Sequence, residues 1–253
     1  MSAAQKPRAN EMTDAEWRTR CDLAALYRIV HHLGWTDLIN THMSARLPDA
    51  AECFLINRYG EMFDEITASS LVKMDLAGNV IGIPGDYNDA GFTIHSGIYK
   101  ARPDANCVMH THTRAGAGIA LVRNGLRPIS QDALHVLDEV TYHTYGVPAS
   151  VEECEALGRT AQNGSCIVLL NHGLLTFGET IPGTLLRLYM LERASELELS
   201  ARCMNAKVEE IAENVVAEAA RWMKQRRASP DYGLKEWQGL VRSIERVGAD
   251  YRH

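Results

Sequence analysis

Two histidines one residue apart close an apolar run, Cys107-Val108-Met109-His110-Thr111-His112. A third stands about sixty positions on, in Asn171-His172-Gly173, behind the apolar run Ile167-Val168-Leu169-Leu170. Side chains alternate between the faces of a β-strand, so His110 and His112 point the same way if the first run is a strand. His172 stands at what reads as a second strand end. Three neutral imidazoles converging on one point suit Zn²⁺, Mn²⁺ or a similar ion, and three protein ligands leave a position open for water or substrate. The other reading of an isolated His-x-His is two polar residues with hydrogen-bonded ring nitrogens at a strand end. The third histidine in an equivalent setting favours the metal.

The remaining composition narrows the function classes. A net charge of −6 gives no electrostatic reason to expect nucleic acid or an anionic membrane as partner. No apolar stretch approaches the length of a membrane span, and the polar N-terminus lacks the apolar core of a signal peptide. The six cysteines, Cys21, Cys53, Cys107, Cys154, Cys166 and Cys203, include no CxxC pair. In a chain of this size they read as reduced thiols of a cytoplasmic protein rather than as a disulfide frame.

Periodicity and turn signals predict helices over 13–33, 93–101, 114–124 and 151–162, one or two long helices within 181–226, and a last short helix over 234–247. Strands are predicted over 42–47, 53–57, 71–75, 79–83, 107–112 and 167–170, with Tyr142-His143 assigned to another. The sum is an α/β or α+β domain, a sheet of short strands with helices on its outside. The expected organisation is a disordered lead-in over 1–12, the domain over 13–227, and a C-terminal extension over 228–253. Gly116 and Gly118 read as close-packing positions in a helix, and Tyr251 either closes over a pocket or belongs to a mobile tail.

Taken together, these motifs resemble the class II aldolase/adducin family. The resemblance is carried by Gly91-Phe92-Thr93-Ile94-His95-Ser96, Ala101-Arg102-Pro103-Asp104, His110-Thr111-His112-Thr113, Pro128-Ile129-Ser130 and Asn171-His172-Gly173, with Ile66-Thr67-Ala68-Ser69-Ser70-Leu71-Val72-Lys73 before them. It implies an α/β/α fold with a mostly antiparallel central sheet flanked by helices, and a homotetramer with sites between subunits. It also implies a divalent metal, Zn first, with Mn, Fe or Co as others, on His110, His112 and His172. The sequence departs from the sugar-phosphate aldolases of the family in two ways. Those enzymes carry an acid/base carboxylate four residues before the position of His95, where this chain has Gly91. Their phosphate-holding Gly-Asn and serine pairs correspond here to Thr41-His42 and Asp89-Ala90, and an acidic residue there would repel a dianion. In both respects the chain looks closer to the adducin head domain. The neck and basic tail of eukaryotic adducins have no counterpart before His253.

The resulting expectation is a metal-dependent carbon–carbon lyase. It would cleave by retro-aldol reaction, or decarboxylate, a small unphosphorylated oxo- or hydroxy-acid through a metal-stabilised enolate. His95 is the candidate replacement acid/base, or a fourth ligand, against the reading of a core or capping histidine. His42 and Arg114 are candidates for binding a substrate carboxylate. The alternative function is a non-catalytic, adducin-head-like oligomerisation or interaction module, for which Gly91 is the best support.

Overall fold

A computed structural model of the chain describes residues 12–147 and 150–253, so most of the expected lead-in over 1–12 lies outside the described residues. The chain enters through α1 (Asp14–His32), the hairpin of β1 (His42–Leu47) and β2 (Ala50–Ile56), the short β3 (Val72–Asp75) and α2 (Asp89–Ala101). It continues through β4 (Cys107–Thr111), α3 (Arg114–Ile119), α4 (Gln131–Leu134), β5 (Val140–His143), α5 (Val151–Thr160), β6 (Cys166–Leu169) and β7 (Gly173–Gly178). Three helices follow, α6 (Ile181–Cys203), α7 (Glu213–Arg227) and α8 (Leu234–Arg246).

The strands form one seven-stranded sheet in the order β3-β2-β1-β4-β7-β6-β5. Every pairing is antiparallel except β5 with β6, which matches the mostly antiparallel sheet expected from the resemblance. Because strand residues alternate, the sheet sends two sets of apolar side chains in opposite directions. Met43, Cys107, Met109 and Leu174 join Leu23 and Leu26 of α1 and Leu188 and Leu191 of α6 in one core. Phe54, Val108, Leu175 and Phe177 join Ile94 and Ile98 of α2 and Leu157 of α5 in the other. A three-layer α/β/α arrangement results, with β4 in the middle of the sheet.

Four local expectations change. No strand forms over 79–83; Val80 makes a single bridge to Met74. The Asp75 carboxylate accepts the N–H groups of Ala77 and Asn79 and folds the chain into a turn, and Gly78 and Gly82 both have positive φ. Helix α2 starts at Asp89 rather than near 93, because the Asn88 side chain caps it by accepting from the N–H groups of Ala90 and Gly91. Helix α3 is shorter than expected and ends at Ile119. Tyr251 is neither a lid nor a mobile tail. It is 1% exposed within the first core, beside Trp237 and Ile244 of α8, and its carbonyl accepts from the Ala68 N–H at 2.8 Å.

Gly116 is packed as expected, since a Cβ there would meet Leu174 Cγ at 2.7 Å. All six cysteines are free thiols. No helix among the described residues is long and apolar enough to cross a membrane.

Candidate functional site

His110 lies within β4 and His112 just past its end, on the same face as Val108 of the second core. His172 arrives from the turn between β6 and β7, which hydrogen-bonds back through the His172 N–H to the Leu169 carbonyl at 3.0 Å. Its neighbours make that approach possible. Asn171 has φ of 61°, a left-handed conformation that asparagine tolerates better than most residues. Gly173 lets β7 run close to the end of β4: a Cβ there would lie 2.4 Å from the Thr111 carbonyl oxygen and 3.1 Å from His112 Cδ2. The tripeptide Asn-His-Gly therefore presents one side chain and clears room on either side of it.

The three rings have centroids 4.6–4.7 Å apart, and one ligand atom from each falls within 4.8 Å of the others. Hydrogen bonds to the far nitrogens orient two of them. His110 Nδ1 donates to the Leu174 carbonyl at 2.9 Å, and His112 Nδ1 faces Asp37 Oδ2 at 3.0 Å. A neutral imidazole carries one hydrogen, so with Nδ1 committed each ring offers a bare Nε2 lone pair. The two Nε2 atoms lie 2.8 Å apart. Two facing lone pairs repel unless a cation or a shared proton sits between them, so this donor set fits a metal ion. Its hydrogen-bonded outer shell is the type that tunes metal-ligating histidines. Burial, reinforced by the surrounding imidazoles, holds the pKa of His110 well below the ordinary histidine range. Burial and then His112 lower that of His172 to about 4. Both rings are thus neutral near pH 7, as metal ligands must be.

The other expected residues separate. His42 on β1 pairs in register with His110 on β4, with ring centroids 5.1 Å apart, and is 3% exposed. His95 is not at a helix start. It lies in the body of α2, fully buried, with His42 at 2.7 Å from its Nε2. Its hydrogen-bonded link to the histidine cluster among the described residues is His42, and burial, followed by the nearby His110, lowers its pKa to about 3. Arg114 is the exposed first residue of α3 and makes no ion pair among the described residues. At Gly91 a Cβ would lie 2.8 Å from His42 Cδ2, so His42 fills the space beside the missing carboxylate.

Three contributors had no place in the sequence reading. Asp37 comes from the loop after α1, seventy-five residues from its partner His112. Ser44 and Tyr99 join His95 from behind. Ser44 and Tyr99 each carried a signal, Ser44 two residues from His42 on a predicted strand and Tyr99 four residues from His95 on a predicted helix; Asp37 carried none. Asn88 also bears on phosphate binding, because its side chain occupies N–H groups that a helix N-terminus would otherwise offer to an anion.

Comparison with known proteins agrees with this geometry. The family profile described as Class II Aldolase and Adducin N-terminal domain matches residues 21–199. An aldolase II superfamily protein from Pseudomonas syringae has the same fold, with a TM-score of 0.90 and 39% identity over 96% of this chain and 98% of that one. An L-fuculose 1-phosphate aldolase from Glaciozyma antarctica superposes with a TM-score of 0.82 and 27% identity over 98% of this chain and 97% of that one. Rat (Rattus norvegicus) alpha-adducin is 40% identical over 185 residues, which span 71% of this chain and 25% of adducin. The histidine motifs, the three-layer fold and these matches together place the chain in the class II aldolase/adducin family.

Proposed function

We propose that this protein is a divalent-metal-dependent carbon–carbon lyase acting on a small unphosphorylated oxo- or hydroxy-acid, by retro-aldol cleavage or decarboxylation. The observation that carries this reading is the set of three imidazoles whose ligand atoms lie within 4.8 Å of one another, two with their far nitrogens tied to Leu174 and Asp37. His110, His112 and His172 would hold the ion, with zinc the first candidate. A bound divalent cation supplies positive charge next to the carbonyl oxygen onto which electron density moves as the bond breaks.

The protein's own groups do the rest. The Leu174 carbonyl and Asp37 keep the imidazole rings aimed. Burial keeps His110 neutral. Arg114, exposed one residue beyond Thr113, offers a planar guanidinium for a substrate carboxylate, and His42 closes the inner wall of the site. Asn88 caps α2, and Asp89 carries a negative charge beside it; both disfavour a phosphate there. Subunits assembled as a homotetramer would complete the site.

The test is elemental analysis of the purified protein beside a His110→Ala/His112→Ala variant of matched fold, followed by a panel of oxo- and hydroxy-acids read by product mass. The expected result is near-stoichiometric metal that the variant loses, and cleavage or decarboxylation of a panel member. Metal-loaded protein that turns over none of them defeats the reading.

The second reading, an adducin-head-like interaction module without catalysis, is favoured by the match to alpha-adducin and by Gly91 in place of the carboxylate. It predicts that His110→Ala and His112→Ala leave assembly intact.

A further inference from the structure

A run of buried polar side chains lies behind the histidine cluster, across the seam between β1 and α2. His42 and Ser44 are two apart on β1, and His95 and Tyr99 are four apart on α2, so each pair shares a face. Tyr99 Oη lies 2.7 Å from Ser44 Oγ, Ser44 Oγ hydrogen-bonds His95 Nδ1, and His95 Nε2 lies 2.7 Å from His42 Nδ1. All four side chains are at least 97% buried.

Counting hydrogens fixes the direction of this run. The Tyr99 hydroxyl has one hydrogen to donate, and the only hydrogen-bond partner of that hydroxyl among the described residues is Ser44 Oγ. A buried hydroxyl donor is normally satisfied, so Tyr99 donates to Ser44, and the Ser44 hydrogen goes on to His95 Nδ1. Both rings are buried with no carboxylate among their hydrogen-bond partners, so each is neutral and carries one hydrogen. The His95 hydrogen must then sit on Nε2 and be donated to His42 Nδ1, which leaves the His42 hydrogen on Nε2. Run the other way, the series would strand the Tyr99 hydrogen without an acceptor.

His42 Nε2 makes no hydrogen bond among the described residues. It faces the space beside Gly91, where a Cβ would lie 3.1 Å away, with the His110 ring across the strand pair. Its tautomer is the reverse of that in His110, which holds its hydrogen on Nδ1 and leaves Nε2 bare. An N–H cannot ligate a cation, but it can hold an anionic oxygen.

We infer that His42 presents a fixed Nε2–H donor to a carboxylate or enolate oxygen of the substrate, and that Ser44, acting through His95, is the positioning group that keeps it in this form. The ligand half of the inference rests on the lyase reading; the tautomer does not. Hydrogen bonding thus sorts neighbouring imidazoles into acceptors for a cation and one donor for an anion.

The experiment is nitrogen-15 NMR of histidine-labelled protein before and after loading with zinc, with oxalate as the anionic probe. The expected result is His42 protonated on Nε2 and not on Nδ1, with that N–H signal moving when oxalate is added. Ser44→Ala, which removes the donor to His95 Nδ1, should yield a mixture of His42 tautomers without loss of zinc, whereas Tyr99→Phe, which leaves that donor in place, should not. His42→Leu should weaken oxalate binding about tenfold or more, the loss of one hydrogen bond to a charged group, and His42→Gln should recover part of it. A wild-type His42 protonated on Nδ1 overturns the inference, as does oxalate that binds His42→Leu as tightly as wild type. A chain that takes up no zinc, yet carries Nε2–H on His42, sinks the lyase reading and leaves the tautomer assignment standing.

Discussion

His42 occupies the space that any side chain at position 91 would need. A Cβ on Gly91 would lie 2.8 Å from His42 Cδ2 and 3.0 Å from its Cγ. The ring cannot easily retreat, because His95 stands behind it at 2.7 Å. Position 91 in α2 and position 42 in β1 are therefore alternative occupants of one volume.

Gly91→Ala should destabilise the protein by about 1–3 kcal/mol, as overpacking does, even though alanine is ordinarily the better helix former by about 1 kcal/mol. Combined with His42→Ala, much of that cost should vanish. Urea unfolding of the two single variants and the double variant measures the coupling; costs that simply add would show that the two positions do not compete.

Gly173→Ala should be costly for a different reason. Its Cβ would sit 2.4 Å from the Thr111 carbonyl oxygen and press on the His112 ring. Separating β7 from the end of β4 should lower stability by about 1–3 kcal/mol and weaken zinc binding at the same time. Thermal melts with and without zinc read both effects, and an alanine variant with unchanged zinc affinity would contradict the close-approach argument.

Asp37→Ala should leave the fold nearly as stable as wild type, since the carboxylate is 42% exposed. It removes the partner of His112 Nδ1 and should cost about 10- to 100-fold in metal affinity, the usual effect of losing such a partner. Competition against a chelator of known affinity gives the number.

Stability of the metal-free protein should fall as pH drops below neutrality. Above about 6.5 the relevant histidines are neutral in both folded and unfolded chains. Below that, the unfolded chain takes up protons that the buried rings resist, because His172 is lowered to about 4 and His95 to about 3. The unfolded state then binds more protons, and folding weakens by up to about 1.4 kcal/mol per pH unit for each such histidine until its own folded pKa is reached. Denaturant titrations between pH 3.5 and 7.5 should show this slope, and His95→Gln should flatten it.

The paired histidines were legible in the sequence because the two-residue period of a strand fixes where His110 and His112 point, whatever the rest of the chain does. Strand β7 was not, since Gly173–Gly178 is buried at every position and shows no alternation to read. Gly91 disguised the first turn of α2, which Asn88 caps only through a side-chain contact. Asp37 left no trace because a lone aspartate in a loop is ordinary, and its partner lies seventy-five residues away. The run from Tyr99 to His42 depends on the register of β1 against β4 and on the docking of α2, neither of which a single sequence encodes locally.

The outward hydrogen bonds of His110 and His112 run to the Leu174 carbonyl and to Asp37, so they need no ion in order to form. Folding has already met the cost of aiming these rings, so the site behaves as a socket and not as a staple. If the proposed ion were taken away, the chain would keep its shape and accept a replacement. Which metal it carries would then follow from what its surroundings supply as much as from the protein itself.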